Sequence, residues 1–204
     1  RSLGVDVRLR MRVEVDNVLA EAPDIVVVAT GTAPRRPGVP GDDLPFVHDV
    51  RHVLDGSAPV TGRVVVVAQD DHVAPLAVAD HLAGFGHDVT IVYATLGPAP
   101  LLSRYAIGGF LARLETLGVR IRTSEQVARI DPGEVSTRRV YSQRPGDPIP
   151  ADTVVLACGG VPQGDLAVRL RGRVPAVHVV GDAFAPRRQI YATREAYALV
   201  AGME

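Results

Sequence analysis

At 204 residues the chain has room for one large domain or two small ones, and 47% of it is hydrophobic but only 4% aromatic. A formal charge of −1 gives no general attraction to nucleic acid or anionic lipid, and no apolar run approaches the ~18 residues of a membrane span. One cysteine excludes an internal disulfide and any four-cysteine iron–sulfur or zinc site built from this chain alone, so a cytoplasmic protein with neither nucleic-acid nor membrane partners is expected.

The chain starts without Met, already inside an element. Leu3 to Val5 reads as a helix end stopped by Gly4, and Val7 to Val15 alternates apolar with polar like a half-exposed strand. After Asp24 comes a fully apolar strand, Ile25 to Ala29, of the kind buried in a parallel sheet. Thr30, Gly31 and Thr32 end it, and Pro34, Pro37 and Pro40 forbid regular structure up to Gly41. A short helix is expected at Val50 to Leu54.

From Arg63 a new α/β unit begins. Val64 to Val67 reads as a buried strand, and Pro75 to Ala83 as a helix with Leu76, Ala79, Leu82 and Ala83 at core spacing, ended by Gly84 to Gly86. Asp88 to Tyr93 is the next strand, Ile107 to Leu117 a helix, and Arg120 to Arg122 another short strand. Two strands flanking a helix in about thirty residues make the beginning of a Rossmann unit. Such units place glycines between strand and helix so that backbone can touch a pyrophosphate. Here Ala68, Gln69, Asp70, Asp71, His72, Val73 and Ala74 stand there instead. At ~5 Å and an effective dielectric near 20, each carboxylate–phosphate repulsion is about 3 kcal/mol. The second strand ends Val92, Tyr93, Ala94, Thr95, without the acidic residue for NAD or the arginine for NADP. No nicotinamide cofactor is expected in this domain. Asp70, Asp71 and His72 read as a solvated loop rather than a metal site, because adjacent residues rarely point at one centre; no metal ligands and no catalytic residues are assigned.

Residues 123–150 carry alternating runs at Val127 to Ile130 and Arg139 to Tyr141, expected to form a small antiparallel β-meander. Thr153 to Ala157 returns as a strand ended by Cys158, Gly159 and Gly160. Cys158 has no partner cysteine and reads as a small buried residue. Val177 to Val180 is a last apolar strand, buried on both faces, and a helix follows from about Gln189. Between them, Gly181 permits close backbone approach and Asp182 accepts hydrogen bonds from ligand hydroxyls at the carboxyl edge of the sheet. The helix start offers N–H groups and a positive dipole end to a phosphate. A structural use of Gly and Asp in the turn, and of the arginines on an amphipathic terminal helix, is the competing reading.

The line V-V-G-D-A-x-A-P-R, with a helix behind it, resembles the FAD-contacting end of flavoproteins with two dinucleotide-binding domains. ATGTxPRxPxxPG, from Ala29 to Gly41, resembles the A-T-G motif where the chain leaves the FAD domain, and the exit at Cys158 to Gly160 resembles the return, with Cys158 in place of a Thr. The segment from Val65 to Val92, without its glycine fingerprint, is similar to the trimethylamine dehydrogenase branch of the trimethylamine dehydrogenase and 2,4-dienoyl-CoA reductase group, relatives of old yellow enzyme. The dienoyl-CoA reductases keep the glycines and use NADPH.

The resemblance implies an α/β, Rossmann-like fold of the glutathione reductase type, with two dinucleotide-binding-type domains. Residues 1–45 and 151–204 would be a discontinuous FAD-type domain lacking its first βαβ unit, and 60–150 a degenerate second nucleotide-binding domain. The chain would be the C-terminal piece of a longer protein. The resemblance places FAD or ADP against Ala29, Thr30, Gly31, Thr32, Gly181, Asp182, Arg187, Gln189, Ile190 and Ala192, with Asp182 on the ribityl chain. A helix glycine of the family is Glu195 or Ala196 here, which puts close helix packing in question. FMN and an iron–sulfur cluster would sit in an N-terminal barrel of the same protein, passing electrons to an external acceptor. The expected function is therefore part of a flavin-dependent oxidoreductase, the piece alone being inactive. The alternatives are a non-catalytic nucleotide-binding or docking scaffold and a portion of an NAD(P)H-dependent enoate or dienoyl-CoA reductase.

Overall fold

A computed structural model of the chain describes residues 3–203 and divides into two compact units. One joins the residues up to Ala33 with those from Gly160 onward; the other is the continuous stretch Pro34–Gly159. In chain order the elements are α1 (Val15–Ala20), β1 (Ile25–Val28), β2 (Thr32–Pro34), β3 (Val47–Asp49) and α2 (Val50–Leu54). Then come β4 (Arg63–Ala68), α3 (Ala74–Gly84), β5 (Asp88–Tyr93), α4 (Arg104–Thr116) and β6 (Arg120–Arg122). The rest are β7 (Glu125–Asp131), β8 (Gly133–Arg139), β9 (Ile149–Ala151), β10 (Thr153–Ala157), β11 (Gly160–Pro162), α5 (Asp165–Leu170), β12 (Ala176–Val179) and α6 (Gln189–Ala201).

The continuous unit is a five-stranded parallel sheet in the order β3-β10-β4-β5-β6. Its central strands bury both faces, which is why they are unbroken Val and Ile runs. Val64, Val66, Val89, Ile91 and Val155 point into one core with Leu76, Ala79 and Leu82 of α3. Val65, Val67, Val92, Val154 and Leu156 point the other way, into a core with Val127, Ile130 and Val135 of the meander. That meander is the antiparallel sheet β7-β8-β9. Its second strand runs over Gly133–Arg139 rather than starting at Arg139, because the turn at Pro132 and Gly133 reverses the chain early. α4 starts three residues before the expected Ile107, where Ser103 accepts from the Tyr105 N–H at 3.3 Å and caps it.

β10 sits between β3 and β4 with all five residues buried. A strand buried throughout needs partners on both edges, so it belongs with the five-stranded sheet and not with the 151–204 stretch. The change between units falls at Gly159–Gly160 and, on the way out, at Ala33–Pro34, instead of near residues 150 and 45.

In the other unit β1 and β12 form a parallel pair with Ile25 opposite Ala176 and Val28 opposite Val179, while β2 and β11 form a second two-stranded piece. Val15, Leu170 and Val174 pack with Val26 and Val177 on one face of the pair. On the other face Ile25 and Val27 remain 45% and 47% exposed, and every residue of β12 is only half buried. Burial on both faces, expected for β1 and β12, is therefore not seen: helices α1 and α5 cover one side alone among the described residues.

The strand expected at Val7 to Val15 does not form. Val5, Val7 and Leu9 are 60–80% exposed, Arg8 pairs with Glu21 at 2.6 Å, and Val15 opens α1. An alternating pattern makes a strand only where a neighbouring edge supplies hydrogen bonds. The helix end expected at Leu3 to Val5 lies at the limit of the described residues, and those three residues are not helical.

Candidate functional site at the ends of two parallel strands

Because β1 and β12 are parallel neighbours in register, their carboxyl ends open side by side, and the Val180 N–H extends the ladder to the Val28 carbonyl at 3.0 Å. Ala29, Thr30, Gly31 and Thr32 leave one strand; Gly181 and Asp182 leave the other. The two predicted groups of residues thus meet at one sheet edge. This is where open α/β sheets hold ligands.

Each exit is braced. Gly31 takes φ +73°, in the left-handed region that favours glycine, and its carbonyl accepts the Gln163 N–H at 3.0 Å. The Thr30 hydroxyl donates to the Gln163 carbonyl. Gln163 was not foreseen; it follows β11, a strand too short to show in the pattern. On the other side Gly181 takes φ +64°, and a Cβ there would stand 3.2 Å from the Ala192 Cβ, so α6 lies directly against this turn. Ala192 is thereby placed at the site. The turn itself is a short 3₁₀ segment, Gly181–Ala183, closed by N–H groups of Phe184 and Ala185 on the Gly181 carbonyl at 3.0 Å each.

Asp182 is partly exposed, and one of its oxygens accepts the Arg187 N–H at 3.2 Å. Gln189 and Ile190 open α6 in exposed positions, with no side-chain cap at Arg188 and no acidic residue in the first turn. The Tyr191 N–H donates to the Arg188 carbonyl at 2.9 Å, and no side-chain anion caps this helix start, the kind of end that can accept a phosphate. The Arg187 guanidinium, expected at the nucleotide, is instead ion-paired with Glu195 and stacked 4.9 Å from the Tyr191 ring. Its side chain is held by the protein.

The continuous unit differs in kind at the corresponding turn. After β4, the N–H groups of Gln69 and Asp70 both donate to the Ala157 carbonyl at 3.0 Å. Asp70 Oδ1 accepts from the His72 N–H at 2.8 Å and lies 3.2 Å from its Nδ1. Two of the loop's donors are taken by the end of β10 and one by its own Asp70 carboxylate. Tyr93, at the end of β5, is buried, and burial pushes its phenol well above the usual range. Cys158 is fully buried with its thiol pushed up to about 12, mainly by desolvation, and stands as a packed residue. Among the described residues no three His, Cys, Asp or Glu side chains lie together as a metal site, and no helix is long and apolar enough to cross a membrane.

Against known proteins, residues 6–196 match the pyridine nucleotide-disulphide oxidoreductase family model. An NADH oxidase of Thermoanaerobacter brockii is 30% identical over 184 residues, covering 89% of this chain and 28% of that protein. Histamine dehydrogenase from Rhizobium sp. 4-9 is structurally similar, with a TM-score of 0.83 and 25% identity over 95% of this chain and 33% of its own. A 2-naphthoyl-CoA reductase is similar with a TM-score of 0.85 and 25% identity over 96% of this chain and 29% of its own. The chain thus spans about a third or less of the length of these relatives.

Proposed function

The chain belongs to the pyridine nucleotide-disulphide oxidoreductase family and has its Rossmann-like α/β fold, and from that premise we propose that it forms the flavin-nucleotide-holding region of a flavin-dependent oxidoreductase. The observation that carries this reading is the parallel pairing of β1 and β12, which brings Thr30–Gly31 and Gly181–Asp182 to one sheet edge. The residues fit FAD or ADP there. Asp182 has an oxygen for the ligand's hydroxyls, glycines at φ +73° and +64° allow backbone approach, and the uncapped start of α6 complements a phosphate. When bound, the flavin would supply reversible electron uptake; the chain's own residues bind and orient it.

The finer reading is an old yellow enzyme-like, amine-dehydrogenase-related protein with FMN and an iron–sulfur cluster in an N-terminal barrel. The likeness to histamine dehydrogenase favours it. Residues 1–33 and 160–204 would serve the flavin nucleotide, and Pro34–Gly159 would be a nucleotide-binding-like unit that holds no NAD(P). That last point is supported by the Gln69–His72 loop, where the N–H groups of Gln69 and Asp70 are taken by the Ala157 carbonyl and that of His72 by Asp70. A second reading, an NAD(P)H-dependent reductase, is favoured by the similarity to the NADH oxidase and the naphthoyl-CoA reductase.

Two measurements on the purified full-length protein separate these readings. A visible flavin spectrum, with FAD or ADP released on denaturation, is expected; a colourless, nucleotide-free protein would favour a docking scaffold. Titration with NADH and NADPH is expected to show no micromolar binding at the second unit, and micromolar binding there would overturn that expectation and favour the reductase.

A further inference from the structure

The expected ligand-binding turn is closed by one carboxylate. Glu195, 26% exposed on its side chain, comes from the second turn of α6, three residues after Ala192 and four after Tyr191, so all three share the face that meets the Gly181 turn. Glu195 Oε2 accepts the Gly181 N–H at 2.7 Å, and Oε1 pairs with the Arg187 guanidinium. That guanidinium lies 4.9 Å from the Tyr191 ring and 6.0 Å from the Phe184 ring, and its Nε reaches the Ala185 carbonyl at 3.4 Å. Arg187 in turn gives its backbone N–H to Asp182. The carboxylate therefore ties the first residue of the segment 181–187 to the last, and the Asp182 side chain is held inside the loop so closed.

We propose that Glu195 is a positioning residue: it clasps Gly181 to Arg187 and so presets the Asp182 carboxylate and the start of α6 for the hydroxyl and phosphate groups of a flavin nucleotide. The inference rests on the flavin-nucleotide reading of this site. It also reassigns Arg187, which closes the clasp and does not reach the ligand. A charge-assisted bond to a backbone N–H is shorter and stronger than a neutral one, which suits holding a turn in the left-handed region without a ligand present. Only a carboxylate can accept from the Gly181 N–H and neutralise Arg187 together; a Gln keeps the first and loses the second.

The test measures FAD affinity of the flavin-depleted full-length protein by fluorescence quenching, beside the vibronic resolution of the bound flavin's visible band and the thermal midpoint. Glu195→Ala is expected to weaken FAD about tenfold and to blur the band, the effect of losing one charge-assisted hydrogen bond from a preset site. Glu195→Gln is expected to recover most of the affinity while remaining about threefold weaker than wild type, as is Arg187→Met. If Glu195→Ala lowers the thermal midpoint but leaves affinity and band shape at wild-type values, the residue is merely structural and the inference fails. Should Glu195→Ala not fold, Glu195→Gln and Arg187→Met decide: wild-type affinity in both overturns it. Wild-type protein that binds neither FAD nor ADP overturns the reading of the site itself, a separate result from an unaffected Glu195 variant in a protein that does bind.

Discussion

Cys158 directly follows β10, where the resembling motif carries a Thr, and its sulfur lies 3.7 Å from the Val67 carbonyl with no exposed surface. Burial raises the thiol to about 12, so the nucleophilic thiolate is a vanishing fraction at neutral pH. Iodoacetamide at pH 8 is expected to leave the folded protein unmodified for hours and to add one adduct within minutes in denaturant, as read by intact mass. Rapid labelling of the native protein would contradict the buried position. At this scale the sequence was legible for the position of Gly31, Gly181 and Asp182 at strand ends, the two glycines with positive φ. It was silent on Gln163 and Glu195, since nothing in a Gln after a Pro, or a Glu in a helix, tells which distant backbone it will hold.

Among the elements, the meander is organised around a buried charge. Glu125 opens β7 with 2% exposure, 2.6 Å from Arg122 and 2.9 Å from Arg139, and accepts from the Thr137 hydroxyl at 3.1 Å. Removing Arg122 would leave that carboxylate buried with its partners reduced, a loss of about 2–3 kcal/mol. Arg122→Ala is therefore expected to lower the urea midpoint clearly, whereas an equal midpoint would show the pair to be dispensable. A different pair joins β4 to the start of β10: Arg63 reaches Asp152 at 2.7 Å across a half-exposed surface. Its screened geometry makes Arg63→Ala the milder change at neutral pH. Hydrogen bonds from Arg63 hold the Asp152 carboxyl well below the usual carboxylate range. A carboxylate lowered in the folded state adds stability above its unfolded pKa of about 4 and loses it as pH falls towards the folded value. The gap between wild type and Arg63→Ala, measured by urea unfolding, should thus be full at pH 7 and shrink steadily below about pH 4; a constant gap would rule out this pairing as its cause.

On the scale of the whole chain, Pro34–Gly159 carries two cores of its own, one on each face of the five-stranded sheet. Every strand of that sheet and the whole meander lie inside this stretch. It is expected to fold when expressed alone, with an α/β far-UV spectrum and one cooperative thermal transition. A broad, non-cooperative melt would mean that its cores are incomplete.

What the residues declared unaided was the local grammar: β1, β4, β5 and β10 as apolar runs, α2, α3 and α6, the antiparallel meander, and the glycine-and-aspartate exits. Those features follow from period, burial demand and turn chemistry within a few neighbouring positions. Only the folded chain decided which strands are neighbours. Pairing turned a three-residue run such as Val47–Asp49 into β3, and the lack of an adjacent edge left the alternation of Val7 to Val15 as coil. It also assigned β10 to the five-stranded sheet and set the Glu195 carboxylate on the Gly181 N–H. A hydrogen-bond ladder and a side-chain clasp are satisfied by groups far off in the sequence, and no pattern internal to a segment encodes its partner.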